Sequence, residues 1–272
     1  MAMSGERWIF RHSAAVRVTH WINAFCLTIL LMSGLQIFNA HPALYLGKQS
    51  DFDHPVFSIS AERQQDRLVG VTKAFGLGVT TTGVLGLSTA GDNGEEAVRA
   101  FPSWATVPSG QDLATGRRWH FAFAWLFLLN GTLYLVYSVV SGHMRRDLLP
   151  SSAGFRSLGR TLRDHVLMRF PKGDAARHYN PLQQLTYLVV IFVLLPLMVL
   201  TGLTMSPGID AFFHPLAALH GGRQSARTVH FVAAAAILLF AAVHVAMVLV
   251  SGAFNNMRSM ITGNYYLGGA LE

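Results

Sequence analysis

The sequence predicts an all-α membrane protein in which four transmembrane helices form a bundle, within a single domain that takes in residues 1–272. Composition is the first reason: 51% of the residues are hydrophobic and 13% are charged, whereas a soluble domain has about 25% charged residues. The second reason is four apolar runs, each close to the roughly 20 residues that cross a hydrocarbon core. We therefore predict helices at about 20–40, 118–141, 181–205 and 228–251.

The first predicted helix contains Cys26, the one cysteine of the chain. A single thiol cannot form a disulfide within the chain, and iron–sulfur clusters need several thiolate ligands. We interpret Cys26 as a small packing residue and exclude an iron–sulfur centre from this subunit.

The segment between the first two helices, 41–117, is the longest connection, and we predict it to be an external loop. Part of it, 68–89, is apolar but contains five glycines and Lys73, and each glycine costs a helix about 1 kcal/mol relative to alanine. This composition favours a partly ordered loop or a re-entrant piece over a fifth transmembrane helix. A fifth helix would also place the two termini on opposite sides of the membrane.

The second helix, 118–141, leads into a basic cytoplasmic loop, 143–180. We expect this loop to be partly helical and to lie against anionic headgroups. The third helix contains Pro196, which should kink it, since neighbouring helices can satisfy the freed backbone groups. The fourth helix follows a second, short external loop.

The distribution of charge predicts that both termini are cytoplasmic. With four spans the termini share one side, which carries twelve basic and five acidic residues, while the other side carries nine of each. Cytoplasmic loops of membrane proteins carry an excess of Lys and Arg. The same arrangement accounts for a pI of about 10.0, so we expect a lipid bilayer and no nucleic acid as the partner of the basic residues.

Two stretches of the chain repeat one another around histidine. Arg117-x-x-His120 and Arg227-x-x-His230 each precede a Ser-Gly pair that begins 21 residues after the histidine, at 141 and at 251. Both stretches coincide with predicted helices. Ionisable side chains within membrane spans are costly and rare, so the repeat indicates a function.

A third Arg-x-x-His, from Arg17 to His20, opens the first helix, and His244 lies fourteen residues after His230. Fourteen residues rise about 21 Å along a helix and return to within about 40° of the same face. His230 and His244 are therefore predicted to face one side of the fourth helix at different depths. We interpret the ligand of these histidines as two b-type haems, held non-covalently because the chain has no C-x-x-C-H motif.

Depth divides the four histidines into two predicted pairs of haem-iron ligands. His20 and His244 lie in the cytoplasmic half, and His120 and His230 lie at the outer ends of their helices. Imidazole is a common axial ligand of haem iron. No catalytic residue is predicted, since the haem carries the electron chemistry.

Each Arg-x-x-His places a guanidinium one turn from the histidine on the same helix face. Arg17, Arg117 and Arg227 are therefore predicted to bind haem propionates, which arginine can contact through two hydrogen bonds. The alternative is that they are interfacial residues whose side chains reach towards water. The remaining histidines, including His143 at a helix end, are assigned to loops and helix termini.

This pattern resembles the dihaem cytochrome b subunits of membrane-bound nickel–iron hydrogenases, formate dehydrogenases and thiosulfate reductases. It also resembles the cytochrome b561-like anchors of periplasmic molybdopterin oxidoreductases, to which the stretches 115–125 and 145–150 look most similar. The resemblance covers about 20–40 and 117–258. In that family the first two helices each provide one haem histidine and the fourth provides two. Here the resemblance implies His20, His120, His230 and His244.

The resemblance also implies a quinone site where the third helix begins at the cytoplasmic surface. Asn180-x-x-Gln183 is similar to an Asn-x-x-Gln pair near the quinone in formate dehydrogenase anchors. Amide side chains can hydrogen-bond to quinone carbonyls, and His178 could relay a proton. The alternative is an ordinary helix N-cap at Asn180 followed by Pro181.

The function implied by the resemblance is that of a membrane-anchoring dihaem cytochrome b subunit. Such a subunit transfers electrons between a periplasmic oxidoreductase, of molybdopterin or nickel–iron type, and the membrane quinone pool. Expected partners are the catalytic subunit, with or without an electron-transfer subunit, and the quinone. Two alternatives stay open: a stand-alone cytochrome b561-type oxidoreductase with a diffusible donor, and a non-haem proton-coupled transporter.

Overall fold

The fold is that of a computed structural model, which describes residues 8–90, 95–167, 180–213 and 215–267. The chain divides into two compact units, each described here by itself. The terminal unit consists of the described residues of 1–23, 129–196 and 235–272, and the sheet unit consists of those of 24–128 and 197–234.

Four helices are long and apolar enough to cross a membrane: Ala14–Asn39, Leu113–Val140, Pro181–Met205 and Arg223–Val250. We call them the first, second, third and fourth long helices. The first, second and fourth begin five or six residues before the predicted starts. Hydropathy locates the apolar part of a helix, whereas backbone hydrogen bonding continues through the polar first turns, which here contain Arg17, Arg117 and Arg227.

The third long helix has the expected irregularity near Pro196. A π-helical turn, Val190–Leu194, lies between the α-helical parts Pro181–Val189 and Leu195–Met205. Proline has no N–H to donate to the preceding turn, and π-turns are a common way for a helix to accommodate such an interruption.

The shorter helical elements lie between and after the long helices. A π-helical turn, Met144–Leu148, follows the second long helix, and the surface helix Ser152–Val166 comes next. The helices Pro207–Phe212 and Pro215–Leu219 precede the fourth long helix. The C-terminal helix Ala253–Thr262 follows it.

The described residues form eight strands: β1 (Trp8–Phe10), β2 (Ala43–Leu44), β3 (Phe57–Gln64), β4 (Arg67–Ala74), β5 (Leu77–Thr80), β6 (Gly86–Ala90), β7 (Glu95–Arg99) and β8 (Asn264–Tyr266). Strands β2 to β5 form an antiparallel sheet in sequence order, and β6 pairs with β7. Strand β1 pairs with β8.

The connection between the first two long helices, which we expected to be a partly ordered loop or a re-entrant piece, contains the six strands β2 to β7. In its described residues it has no fifth long helix. Its glycines serve the hairpins: Gly76 has φ +82° in the turn between β4 and β5. At Gly86, with φ +80°, a Cβ would lie 2.3 Å from the carbonyl oxygen of Ser60. The sequence interpretation took these glycines as helix breakers and missed their role in turns and close backbone contacts.

The core of the sheet unit joins the sheet to the ends of two long helices. Phe38, near the end of the first, is buried with Leu44 and Ile59. The ring of Phe38 lies 4.9 Å from that of Phe231, on the fourth long helix, and 6.4 Å from that of Phe57, on β3. The sheet is thus packed on side chains that belong to membrane-spanning helices.

The terminal unit brings the two described ends of the chain together. Trp8 pairs with Tyr266 in the β1–β8 ladder, and their rings lie 5.0 Å apart. The strand that precedes the first long helix therefore pairs with the strand that follows the C-terminal helix.

The surface helix Ser152–Val166 lies in the segment that we expected to be a partly helical cytoplasmic loop. It carries three arginines, while Phe155 and Leu162 are about half exposed. A Cβ on Gly154 would lie 3.2 Å from Cγ of Pro181, so this helix packs against the start of the third long helix. Its mixture of arginines and exposed apolar side chains is typical of an interfacial helix.

Candidate functional site

The sheet unit brings His120 and His230 together. His120 lies on the second long helix and His230 on the fourth, and their imidazole centroids are 6.3 Å apart with an interplanar angle of 61°. These are the two residues that the sequence analysis paired at the outer ends of their helices.

The terminal unit brings His20 and His244 together at the same separation. Their ring centroids are also 6.3 Å apart, with an interplanar angle of 52°. His20 lies on the first long helix and His244 on the fourth. Each predicted pair of ligands is thus a pair of neighbouring imidazoles in the structure, and each pair lies within one unit.

The separation of the rings can be compared with the geometry of a metal bound between two imidazoles. A first-row metal such as zinc binds an imidazole nitrogen at about 2.0 Å, and the ring centroid lies about 1.1 Å behind that nitrogen. Two imidazoles on opposite sides of one iron would therefore have centroids roughly 6.2 Å apart. Both pairs match this value, so the residues present fit a haem held by two histidines.

Hydroxyl side chains orient both imidazoles of the pair in the sheet unit. Ser33 Oγ lies 3.1 Å from His120 Nδ1 and donates its own proton to the carbonyl of Ile29 at 2.6 Å. Thr201 Oγ1 lies 3.0 Å from His230 Nδ1 and donates to the carbonyl of Leu197 at 2.6 Å.

A hydroxyl that donates its proton to a carbonyl can only accept from the imidazole. Ser33 and Thr201 therefore favour the tautomer with the proton on Nδ1, which leaves the lone pair of Nε2 available to a metal. Metal-binding histidines commonly donate their second ring nitrogen in this way.

A glycine follows each of these hydroxyl residues and lies against the same imidazole. A Cβ on Gly34 would be 3.4 Å from Cε1 of His120, and a Cβ on Gly202 would be 3.5 Å from Cε1 of His230. The first and third long helices thus support the two rings in matched ways, with a Ser-Gly pair and a Thr-Gly pair.

The pair in the terminal unit has a more aromatic environment. The His20 ring meets Trp21 edge-on at 5.3 Å, while His244 stacks on Phe240 at 5.8 Å and meets Tyr187 at 6.4 Å. Nδ1 of His20 is buried and has no hydrogen-bond partner among the residues that the structure describes. The two pairs therefore differ in the neighbouring groups that could set the reduction potential of a bound iron.

The three arginines that precede the histidines contact protein groups. Arg227 donates to the carbonyl of Ala43 at 2.9 Å and to that of His41. Arg17 donates to the carbonyl of Ile261, and the guanidinium of Arg117 lies 5.6 Å from the centroid of the Phe121 ring. A role in binding propionates stays a prediction for all three.

Asn180 and Gln183 form a capping box at the start of the third long helix. The Asn180 side chain accepts from the Gln183 backbone N–H at 2.9 Å, and the Gln183 side chain accepts from the Asn180 N–H at 3.3 Å. Pro181 occupies the first turn. The N-cap that the sequence allowed is therefore present, and His178 lies outside the described residues.

A His–Asp pair that the sequence analysis assigned to an ordinary helix end lies in the terminal unit. His143 Nδ1 is 2.7 Å from Asp147 Oδ2, and His143 is almost completely buried. The rings of Tyr134 and Tyr137 lie 6.4 and 6.3 Å from the imidazole. The spacing of four residues, which places two side chains on one helix face, was the available signal.

His12, which precedes the first long helix, is another buried histidine of the terminal unit. Desolvation, together with the nearby charge of Arg11, lowers the pKa of His12 to about 4. His12 is therefore neutral at pH 7. The hydroxyl of Tyr137 donates to Oγ of the adjacent Ser13 at 2.7 Å, so polar groups surround this end of the first long helix.

Comparisons with known proteins show the family of the chain. A family model described as prokaryotic cytochrome b561 matches residues 11–263. A protein of Azospira oryzae, named as subunit YedZ1 of a protein-methionine-sulfoxide reductase, is similar to the chain. The two are 29% identical over 237 residues, which cover 87% of this chain and 89% of the relative. No solved structure matches the chain.

Proposed function

The chain belongs to the prokaryotic cytochrome b561 family, and from this membership we propose that it is the membrane-anchoring dihaem subunit of a quinone-linked oxidoreductase. The family resemblance read from the histidine pattern is confirmed by this membership. The chain is a multi-pass membrane protein of the bacterial inner membrane and binds b-type haem. The number of haems, their ligands, the quinone and the partner are the proposed parts.

We propose that the chain holds two haems, one between His120 and His230 and one between His20 and His244. The observation that carries this proposal is the ring separation of 6.3 Å in both pairs. When bound, haem b supplies reversible one-electron transfer. The protein's part is to present Nε2 of each histidine, to exclude water and to set the polarity around each iron.

Arg17, Arg117 and Arg227 are the proposed partners of the propionates. Arg117 is the first candidate of the three, because its guanidinium contacts the Phe121 ring, whereas Arg17 and Arg227 donate to backbone carbonyls. Arg227 already donates to backbone carbonyls, so its contact with a propionate would use its remaining N–H groups.

The proposed partner is the catalytic subunit of a periplasmic oxidoreductase, of molybdopterin or nickel–iron type. Support comes from the relative, which is named as a subunit of a reductase. The same name argues against a stand-alone oxidoreductase, and membership of a cytochrome family argues against a haem-free transporter. Both termini are proposed to be cytoplasmic.

We propose that quinone is reduced or quinol oxidised near the start of the third long helix, with Asn180, Gln183 and His178 as the first candidate residues. The amide oxygens of Asn180 and Gln183 are engaged in the capping box, so any contact with a quinone carbonyl would come from their N–H groups. The His143–Asp147 pair is an additional candidate: the carboxylate orients the imidazole, and His143 could hold and release a proton that quinone chemistry requires.

The test of the dihaem proposal is a count of haem per chain. We expect two haems in the native protein and one in His244→Ala, measured as the pyridine haemochrome of purified protein. His220→Ala is the control for the loss of a partly buried histidine, since His220 contacts Thr204 through Nδ1 at 3.2 Å and is not a proposed ligand. An unchanged count in His244→Ala would remove this histidine from the ligand set.

A further inference from the structure

The turn between β4 and β5 exposes a large apolar side chain in an unusual conformation. Phe75 has φ +50°, in the left-handed region that bulky residues rarely adopt, and its side chain is 86% exposed. Gly76 completes the turn with φ +82°. Strained positions of this kind often mark functional sites, and packing within the protein gives no reason for a phenylalanine here.

The register of the sheet shows which residues of β3 and β4 share a face with the residues of the edge strand β5. Phe57 pairs with Ala74, which in turn pairs with Leu77. On the same strands, Ile59 pairs with Thr72, which pairs with Val79. Directly opposed residues in an antiparallel sheet project from the same face.

Leu77 and Val79 therefore project from the face that carries Phe57 and Ile59. They are 79% and 61% exposed, because they lie on β5 at the edge of the sheet. Ile59, by contrast, is almost fully buried. One apolar face is thus covered at β3 and uncovered at β5.

The covered part of this face rests on membrane-spanning helices. The Phe57 ring lies 5.5 Å from that of Phe231 and 6.4 Å from that of Phe38. Phe231 is three residues past the start of the apolar part of the fourth long helix at about 228, which corresponds to about 4.5 Å along the helix axis. The Phe57–Ala74 end of the sheet is therefore level with the outer end of an apolar span.

The opposite end of the same hairpins is polar. The turn between β3 and β4 is Gln65-Asp66, and both residues are exposed with positive φ. It begins eight residues from Phe57 along the chain, a distance of roughly 26 Å. Lys73, a charged residue near the apolar end, forms an ion pair at 2.6 Å with Glu62, which is closer to the polar end. A lysine that directs its charge away from apolar surroundings is typical of a membrane interface.

We infer that the β4–β5 edge, defined as Phe75, Leu77 and Val79, inserts into the lipid bilayer beside the long helices and contacts acyl chains. Its apolar face is continuous with the core that the sheet shares with spanning helices, and Lys73 is ion-paired on the opposite face of the sheet. Exposed apolar patches mark interaction surfaces, and the packing of the same sheet face on Phe38 and Phe231 of two spanning helices points to lipid as the occupant. The inference does not depend on the proposed redox function.

Site-directed spin labelling of the full-length, haem-loaded protein tests this inference. The chain has a single cysteine, Cys26, which is fully buried, so Cys26→Ser provides a background for single labels. A nitroxide at Phe75→Cys is compared with one at Gln65→Cys in phospholipid vesicles. The two positions are matched, since both are exposed, left-handed and in two-residue hairpin turns.

We expect the label at 75 to collide more often with oxygen, which concentrates in lipid, than with a water-soluble nickel chelate. The ratio of the two collision rates should exceed that at 65 several-fold. Leu77→Cys gives a second measurement outside the strained turn and should behave as 75 does. Equal ratios at 65, 75 and 77 would overturn the inference and leave the edge available to a protein partner in water.

Discussion

Two hydroxyl side chains decide which nitrogen of each histidine in the sheet unit can bind a metal. Ser33 and Thr201 both donate to the carbonyl four residues earlier in their own helices and accept from an imidazole Nδ1. The two residues lie on different helices, yet they perform the same task and are each followed by glycine. A histidine held in this way loses little freedom when it binds a metal, which favours affinity.

Thr201→Val removes this acceptor while keeping the shape of the side chain. We expect haem to dissociate from the His120–His230 pair about 10 to 100 times more readily, the usual cost of losing such a partner. The midpoint potential of that haem should rise, since an imidazole that no longer donates through Nδ1 is a weaker electron donor to ferric iron. Haem transfer to an acceptor protein and a redox titration measure the two effects.

Thr204→Val is the control for Thr201→Val. Thr204 lies one turn further along the same helix and contacts His220, which is not a proposed ligand. Thr201→Ser should retain native behaviour. Equal haem loss in the Thr201 and Thr204 variants would show a general effect on the helix and would argue against a positioning role.

The buried His143–Asp147 pair leads to a second prediction for a single side chain. We expect His143→Gln to slow the reaction of the reduced protein with quinone by about 100-fold or more, the usual contribution of a positioned acid or base. Haem content and visible spectrum should not change. Stopped-flow oxidation of the reduced protein by a soluble quinone measures the rate.

His54→Gln offers a matched control for His143→Gln, because His54 also bonds to an aspartate, Asp51, at 3.1 Å but lies in the sheet unit. Its rate should equal that of the native protein. If His143→Gln reacts as fast as His54→Gln, proton transfer with quinone does not use this pair.

At the level of secondary structure, the start of the third long helix combines two requirements. The capping box satisfies backbone N–H groups that have no partner within a helix. The same amide side chains are the proposed contacts of a quinone. Because serine can cap a helix but has no amide group, one substitution separates the two roles.

Asn180→Ser should preserve stability and weaken quinone binding. Asn180→Ala should lower the free energy of unfolding by about 1 kcal/mol through loss of the cap. Thermal unfolding in detergent and the KM for quinone measure these effects. A native KM in Asn180→Ser would leave Asn180 as a helix cap without a role in quinone binding.

For the whole molecule, pairing of β1 with β8 brings the described ends of the chain side by side. The excess of basic residues in the terminal segments and in the 143–180 segment is the basis of the proposal that both termini are cytoplasmic. That proposal predicts that the six strands β2 to β7 are periplasmic, where a partner subunit would meet them.

A pair of fusions checks this topology. Green fluorescent protein fused after residue 272 should fluoresce, since it matures in the cytoplasm, and alkaline phosphatase inserted at the Gln65-Asp66 turn should be active, since it needs the periplasm. Alkaline phosphatase inserted at Ser151 is the control and should be inactive. The reverse pattern would invert the proposed direction of the protein in the membrane.

Much of this protein could be predicted from local patterns in the sequence. The four long helices follow from the length of the apolar runs, and the division of four histidines into two pairs follows from the rise and turn of a helix. Both properties depend on neighbouring residues along one helix. That is why His20, His120, His230 and His244 could be paired before any contact between helices was known.

Contacts between segments that are far apart in the sequence could be learned only from the tertiary structure. Ser33 lies 87 residues from His120, and Thr201 lies 29 residues from His230, so no local pattern connects them. The strands β2 to β7 escaped notice because glycine, which breaks a helix, is equally required in tight turns and close strand contacts. The local sequence determines whether a segment forms a helix, whereas the hydrogen-bond partner of a side chain depends on how another segment is rotated and packed against it.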